Sequence, residues 1–370
     1  MTADGTPLTT KTATLEKGKS YTYDLTVGKT KIDIEGIKVN DWNNGEDIDG
    51  GKATLPPYVT FTATKTQTFK MTTVKGYTIS GLEYSVNGGK WTSVEADKEV
   101  SFGGDKGNLQ LRGTNIKGTA DAESDSYSRI EFTDKNVKVA CTGDIRTLLD
   151  GENYKTVKTE NAQFFNLFEN CKALTSAPDL PAETLADNCY WGMFDGCTNL
   201  ETAPELPAMI LANNCYAYMF CNCQSLKTAP ELPATQLADN CYYYMFYGCE
   251  SLKTAPELSA TQLADYCYNS MFYNCTNLKT APKLSAEKLA EGCYYRMFFG
   301  CTSLTSVTML APSEQIKNTS MCCYRWLDDA GKKATSRTLK VKDVAAYNAL
   351  ESIYLPDNWK KGATGTTVNY

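Results

Sequence analysis

The residues best suited to chemistry are fifteen cysteines, yet the usual partner that would activate them is missing, because the chain has no histidine. Cys-His and Ser-His-Asp catalysis both need an imidazole that titrates near neutral pH. Histidine metal sites and haem on a proximal histidine are excluded with it. A zinc site built from cysteine needs paired CxxC-like spacing. The only close pairs are Cys221-Asn222-Cys223 and Cys322-Cys323, and no CxxC occurs. Disulfides are open to a secreted chain, although the cysteine count is odd. Among 43 acidic residues nothing singles out a pair for glycoside hydrolysis. The stretch holding Asp41, Asp47 and Asp49 has no glutamate twelve positions on from Asp41 or Asp47, so it reads as a solvated linker rather than a calcium loop. The expectation is a protein that is not an enzyme and has no cofactor and no metal.

What positions the cysteines is a repeat. Cys171, Cys197, Cys223, Cys249, Cys275 and Cys301 fall at intervals of 26, and so do Cys189, Cys215, Cys241, Cys267 and Cys293. Ala-Pro recurs from Ala177-Pro178 to Ala281-Pro282, and Met-Phe from Met193-Phe194 to Met297-Phe298. A period held without slippage means a solenoid, in which each unit buries its apolar face against its neighbours. Leu237, Cys241, Met245 and Cys249 are spaced by four, which predicts one face of a helix. Lys253-Thr254-Ala255-Pro256-Glu257 predicts a short extended rung, kept irregular by its proline. Gly or Asn before the last cysteine (Gly196, Asn222, Gly248, Asn274, Gly300) predicts a left-handed residue there. In such a core the cysteines are expected to be small buried hydrophobes, mostly unbonded.

Tyrosine separates into two classes. Tyr190, Tyr216, Tyr242, Tyr268 and Tyr294 recur in every unit and read as scaffold. The positions that follow vary from unit to unit, as does a third column from Asp195 to Phe299. If these face outward they make an aromatic strip, with Trp191, Tyr218, Tyr243, Tyr244, Tyr247, Tyr273, Tyr295, Arg296 and Phe299 as the candidate ligand contacts. At least two of Tyr243, Tyr244 and Tyr247 are then expected to be largely exposed. The competing reading is packing between coils.

The front of the chain is rich in Thr, Lys, Gly and Val and carries one cysteine, Cys141. Tyr21–Val27, Tyr58–Ala63 and Ile130–Phe132 alternate as half-buried strands do, and Leu82–Val94 is a hairpin around Asn87-Gly88. Short, closely spaced strands predict a β-sandwich. Asn40–Gly51 is the best linker. The reading is a β-rich N-terminal sandwich region followed by an α/β leucine-rich-repeat solenoid of 26-residue units with a C-terminal cap, divided as 1–50, 51–150, 151–330 and 331–370. A net charge of −6 argues against a nucleic-acid binder, and no apolar run approaches membrane-span length. Met1–Gly5 has neither the basic nor the apolar region of a signal peptide; the repeats favour a chain that starts after its leader.

Cys249-Glu250-Ser251-Leu252, then Leu258, Leu263, Phe272 and Cys275, resembles the BspA-type leucine-rich repeat of surface proteins from Gram-negative anaerobes, with units longer than that family's usual length. Residues 16–45, with Lys17–Tyr21 and Asp41-Trp42-Asn43, resemble the C-terminal edge of fimbrillin-like subunits, so residues 1–50 are expected to be the end of such a domain. The resemblance implies a right-handed coil and a cell-surface or secreted location. It also implies adhesion to an extracellular host or bacterial surface protein, or to a glycan. The membrane would be reached only through an anchor outside this chain. The alternative is a structural or assembly component, such as a fimbrial accessory or tip subunit.

Overall fold

The computed structural model describes residues 19–27, 32–41, 57–121 and 126–370. Two compact units divide the chain at Leu55/Pro56. In the first, β1 (Lys19–Val27) and β2 (Ile32–Asp41) pair antiparallel, with Tyr21 opposite Val39 and a register shift between Asp24 and Leu25. The alternating run at Tyr21–Val27 is thus a strand. Asp47, Asp49 and most of the linker stretch lie outside the described residues.

The second unit begins with two antiparallel sheets. Its strands are β3 (Val59–Thr62), β4 (Gln67–Val74), β5 (Leu82–Val86), β6 (Thr92–Ser93), β7 (Val100–Phe102), β8 (Leu109–Gly113), β9 (Ala120–Asp121), β10 (Ser126–Phe132) and β11 (Ala140–Thr142). One sheet runs β7-β4-β10-β9, the other β11-β3-β8-β5-β6. Alternation decides what is buried: Gln67, Phe69 and Met71 of β4 and Leu109 and Leu111 of β8 point inward. The expected hairpin is β5–β6, turned by Asn87 at φ 50° and Gly88 at φ 68°, the doubly left-handed turn that matches strand twist. Phe61 of one sheet meets Phe132 of the other at 5.3 Å.

This β region does not stand apart from the repeats. Phe61 also touches Phe168 of the first coil at 6.3 Å, and the Ile130 amide donates to the Leu167 carbonyl at 2.8 Å. Val139 and Asp144 form parallel bridges with Leu174 and Asp179. One apolar core runs unbroken from Val59 to Trp359.

The helical face expected in each repeat is replaced by a chain of linked turns, and no α-helix lies between residues 157 and 312. In the coil around Tyr242 the amides of Tyr243, Met245, Tyr247 and Cys249 each bond the carbonyl three residues back, at 3.1–3.2 Å. The amides between them (Tyr242, Tyr244, Phe246, Gly248) bond instead to Cys267, Asn269, Met271 and Tyr273 of the next coil, at 2.8–3.1 Å. A left-handed residue every fourth position makes this possible: Asn240 (φ 54°), Tyr244 (55°) and Gly248 (69°) here, with equivalents in the other coils. The spacing of four that suggested a helix is the period of these turns. Two residues of each four point in (Cys241-Tyr242, Met245-Phe246) and two point out. The left-handed Gly/Asn position before the last cysteine is found in all five predicted places.

Inside the stack, equivalent residues form columns. Tyr190, Tyr216, Tyr242, Tyr268 and Tyr294 stack at 5.8–6.1 Å, and Phe168, Phe194, Phe220, Phe246, Phe272 and Phe298 at 5.3–5.7 Å. All fifteen cysteines are buried with free thiols. An exposed column accompanies them: Asn213, Asp239, Asp265 and Glu291 each donate a backbone amide to the side chain one coil back, at 2.8–3.2 Å.

The rungs are as irregular as their prolines demand. Ser176, Thr202 and Thr228 make single parallel bridges rather than strands, because a proline two residues on supplies no amide donor. Where the proline disappears, a sheet forms. β12 (Thr280–Leu284) still shifts register around Pro282, whereas β13 (Ser306–Met309), β14 (Arg337–Val341) and β15 (Thr366–Asn369) pair parallel and in step. The last coil is displaced by α1 (Ser313–Asn318), which adds three residues: Phe298 bonds Trp326, 28 positions on, where Phe272 bonds Met297, 25 on. Cys322 therefore takes the place of Cys293, and Cys323 that of Tyr294, one position off the alignment that Cys323-Tyr324 suggests. α2 (Val344–Ile353), capped by Asp343 on the Ala346 amide at 2.7 Å, and the buried Trp359 complete the core.

Candidate ligand-binding face

Because each turn sends two residues outward, the variable columns line one face of the coils. Seven of the nine candidate residues meet there. Trp191 touches Tyr218 at 5.7 Å, and Tyr218 touches Tyr243 at 5.4 Å and Tyr244 at 5.0 Å. Tyr244 touches Tyr247 at 5.3 Å, Tyr247 stacks on Tyr273 at 4.9 Å, and Tyr273 on Phe299 at 4.6 Å with ring planes 6° apart. Tyr295 and Arg296 form a separate short row with Tyr324, which stacks on Tyr295 at 5.5 Å. Arg325 lies 5.1 Å over Phe299.

The rings are less open than the sequence suggested. Tyr243, Tyr244 and Tyr247 are each half-buried and none is largely exposed, because each covers part of the next. Burial pushes the Tyr218 hydroxyl up, with the Tyr243 ring adding to it, and moves Tyr243 and Tyr247 the same way. These phenols stay neutral hydrogen-bonding groups through the physiological range. The variable column opens with Asp195, whose carboxyl burial raises and which accepts from Asn222 at 3.3 Å.

Sequence reasoning missed the two ends of the strip. Phe165 meets Trp191 at 4.5 Å and Tyr127 of β10 at 5.4 Å, carrying the row into the sandwich. Tyr127 donates to Glu169 at 2.7 Å, beside Arg129 at 2.9 Å, and burial and Glu169 together push its hydroxyl up to about 12. Phe165 was findable, since it stands 26 positions before Trp191. Tyr324 and Arg325 were hidden by the three-residue insertion. Among the described residues no group of three or more Cys, Asp or Glu side chains is arranged to hold a metal, and no helix is long and apolar enough to cross a membrane.

A stack of coils with constant inward columns and variable outward ones defines a repeat protein. Residues 162–253 and 193–327 match the BspA type leucine rich repeat region, in six copies. Residues 162–327 are therefore a BspA-type leucine-rich-repeat region. No curated protein and no solved structure matches the chain.

Proposed function

We propose that this is a non-enzymatic cell-surface or secreted binding protein, an adhesin in the broad sense, whose leucine-rich-repeat solenoid presents the aromatic strip to an extracellular protein or glycan. In this reading residues 1–50 end a fimbrillin-like domain, 51–150 are the sandwich, 151–330 the solenoid and 331–370 its C-terminal cap. One observation carries the proposal: the outward rings stay in contact across successive coils although their identities change from coil to coil. The inward columns keep one residue type for packing, whereas the outward columns are free to be shaped by a ligand. Tyr and Trp supply large contact area with few rotatable bonds. The test is an array of glycans and extracellular host proteins probed with the whole chain and with a folded Tyr243→Ala/Tyr244→Ala/Tyr247→Ala variant. A ligand lost in the variant supports the reading.

A structural role is the second reading, favoured by the edge of the C-terminal sheet. Among the described strands β15 pairs with β14 alone, and such an edge can accept a strand from another chain. Growth of the purified chain into ordered polymers, seen by light scattering and microscopy, would favour an assembly subunit over an adhesin.

A further inference from the structure

The two ends of the aromatic face are built differently. At the sandwich end the charges are matched, with Arg129 held by Glu131 at 3.1 Å and Glu169 at 2.9 Å. At the other end the Arg296 guanidinium lies 5.0 Å over the Tyr295 ring, and its Nε is buried without a hydrogen-bond acceptor. No carboxylate among the described residues forms an ion pair with it. One coil on, Arg325 occupies the equivalent position and is held by Asp328 at 2.6 Å. Tyr324 is 43% exposed and stacks on Tyr295, and no further described ring covers it. Buried donors in native proteins nearly always have a partner, so the unpaired Nε marks Arg296 as a cation that no acceptor of the chain holds. This cation is not part of a generally basic surface, since residues 171–330 hold 9 Lys/Arg against 16 Asp/Glu.

We infer that the short row of Tyr295, Arg296 and Tyr324, beside this end of the strip, is a subsite for an acidic glycan, with a sugar ring on Tyr324 and a uronate carboxylate in the fork of Arg296. The inference rests on the aromatic strip being a binding face. A planar guanidinium matches a carboxylate with two parallel hydrogen bonds, and an uncovered aromatic ring gives the apolar face of a pyranose a flat surface to lie on. An extended peptide finds no main-chain row here. The Tyr295 amide already bonds Gly292 at 3.0 Å, Arg296 bonds Tyr324 at 3.0 Å, and Phe299 bonds Arg296 at 3.1 Å. Strand addition needs such groups free, so recognition on this face runs through side chains.

The test is affinity electrophoresis of the whole chain through gels holding polygalacturonate, alginate or hyaluronan, with fully methyl-esterified polygalacturonate as the uncharged match. The expected result is retardation by at least one polyuronate. For polygalacturonate, esterification weakens it about tenfold, as loss of a charge-assisted fork should. Arg296→Gln and Tyr324→Ala lose most of the retardation, and Lys253→Gln, on a rung away from the strip, keeps it. If Arg296→Gln fails to fold by circular dichroism, Arg296→Lys carries the test: it keeps the charge, loses the fork, and is expected to bind several-fold more weakly. Equal retardation by acid and ester, or retardation unchanged in the Arg296 variants, overturns the inference. So does the absence of retardation by all three polyuronates. An array ligand lost in the Tyr243/Tyr244/Tyr247 variant would in either case leave the binding face standing without this subsite.

Discussion

The Cys249 thiol donates to the carbonyl of Phe220, 29 residues earlier, at 3.1 Å. Cys197, Cys223, Cys275 and Cys301 repeat the contact with Phe168, Phe194, Phe246 and Phe272 at 3.0–3.2 Å. A residue that looks like a small hydrophobe therefore also bonds one coil to another. It answers why cysteine rather than alanine holds the position: alanine would fill less space and remove the bond between coils, leaving the Phe220 carbonyl with the Cys223 amide alone.

Burial pushes these thiols up, and those of the second cysteine column with them, Cys215 to about 12; it does the same to the inward tyrosines, while Cys322, bonded by Cys323, moves down. The folded state holds its protons where the unfolded chain releases them, so above the ordinary thiol value the unfolded chain binds fewer protons. Stability is fully present below about pH 8.5 and falls as pH rises. A series of urea melts from pH 7 to 11 should show the midpoint dropping steeply through the alkaline end. In native buffer at pH 8 a thiol reagent should label almost none of the cysteines, and all fifteen after denaturation. Rapid labelling of the folded chain would contradict the buried columns.

Tyr190 heads its column with a hydroxyl that is buried and has no partner. An unpaired buried hydroxyl costs on the order of 1–3 kcal/mol. Tyr190→Phe keeps the stacking on Tyr216 and removes that cost, so it should raise stability by about 1 kcal/mol in equilibrium denaturation. A loss of stability would mean that the hydroxyl is bonded after all.

Gly300 sits at φ 72°, where an added Cβ would come within 2.1 Å of the Asn274 side-chain oxygen. Gly76 has φ 76° with nothing within 4 Å. Both alanine variants carry the left-handed strain of roughly 1–2 kcal/mol, and only Gly300→Ala adds a collision between coils. Thermal melts should rank Gly300→Ala clearly below Gly76→Ala; equal losses would show that the coils are not in close register.

Phe168 is fully buried where the first coil meets Phe61 of the sandwich. Phe168→Ala should cost about 3–5 kcal/mol. It should also lower the midpoint followed at Trp91 in the sandwich and at Trp326 in the last coil together, since one core joins them. A repeat region cut at residue 151 should expose this surface and aggregate. Independent melting of the two probes would separate what the packing joins.

The period of the repeat, the inward columns and the hairpin at Asn87-Gly88 were legible because each rests on spacing and on residues with one conformational use. The helical face was not. A spacing of four fits a helix and a chain of four-residue turns equally well, and only the left-handed positions decide between them. Asn240 and Gly248 announce theirs, but Tyr244, between them, does not: nothing in a tyrosine signals φ 55°. That position is held by amide bonds to the next coil rather than by its own preference. The strip was legible as variability and its exposure was overestimated, because rings one coil apart stack on each other. Tyr324 was lost to an insertion that shifts the register without breaking the fold.

The most direct measurement of the central claim is binding by the whole chain against the Tyr243→Ala/Tyr244→Ala/Tyr247→Ala variant, using whichever protein or glycan the array returns. Each lost hot-spot ring is worth on the order of 1–2 kcal/mol, so the folded variant should bind at least about a hundredfold more weakly. Equal binding by the two chains would place recognition elsewhere on the molecule and contradict the account.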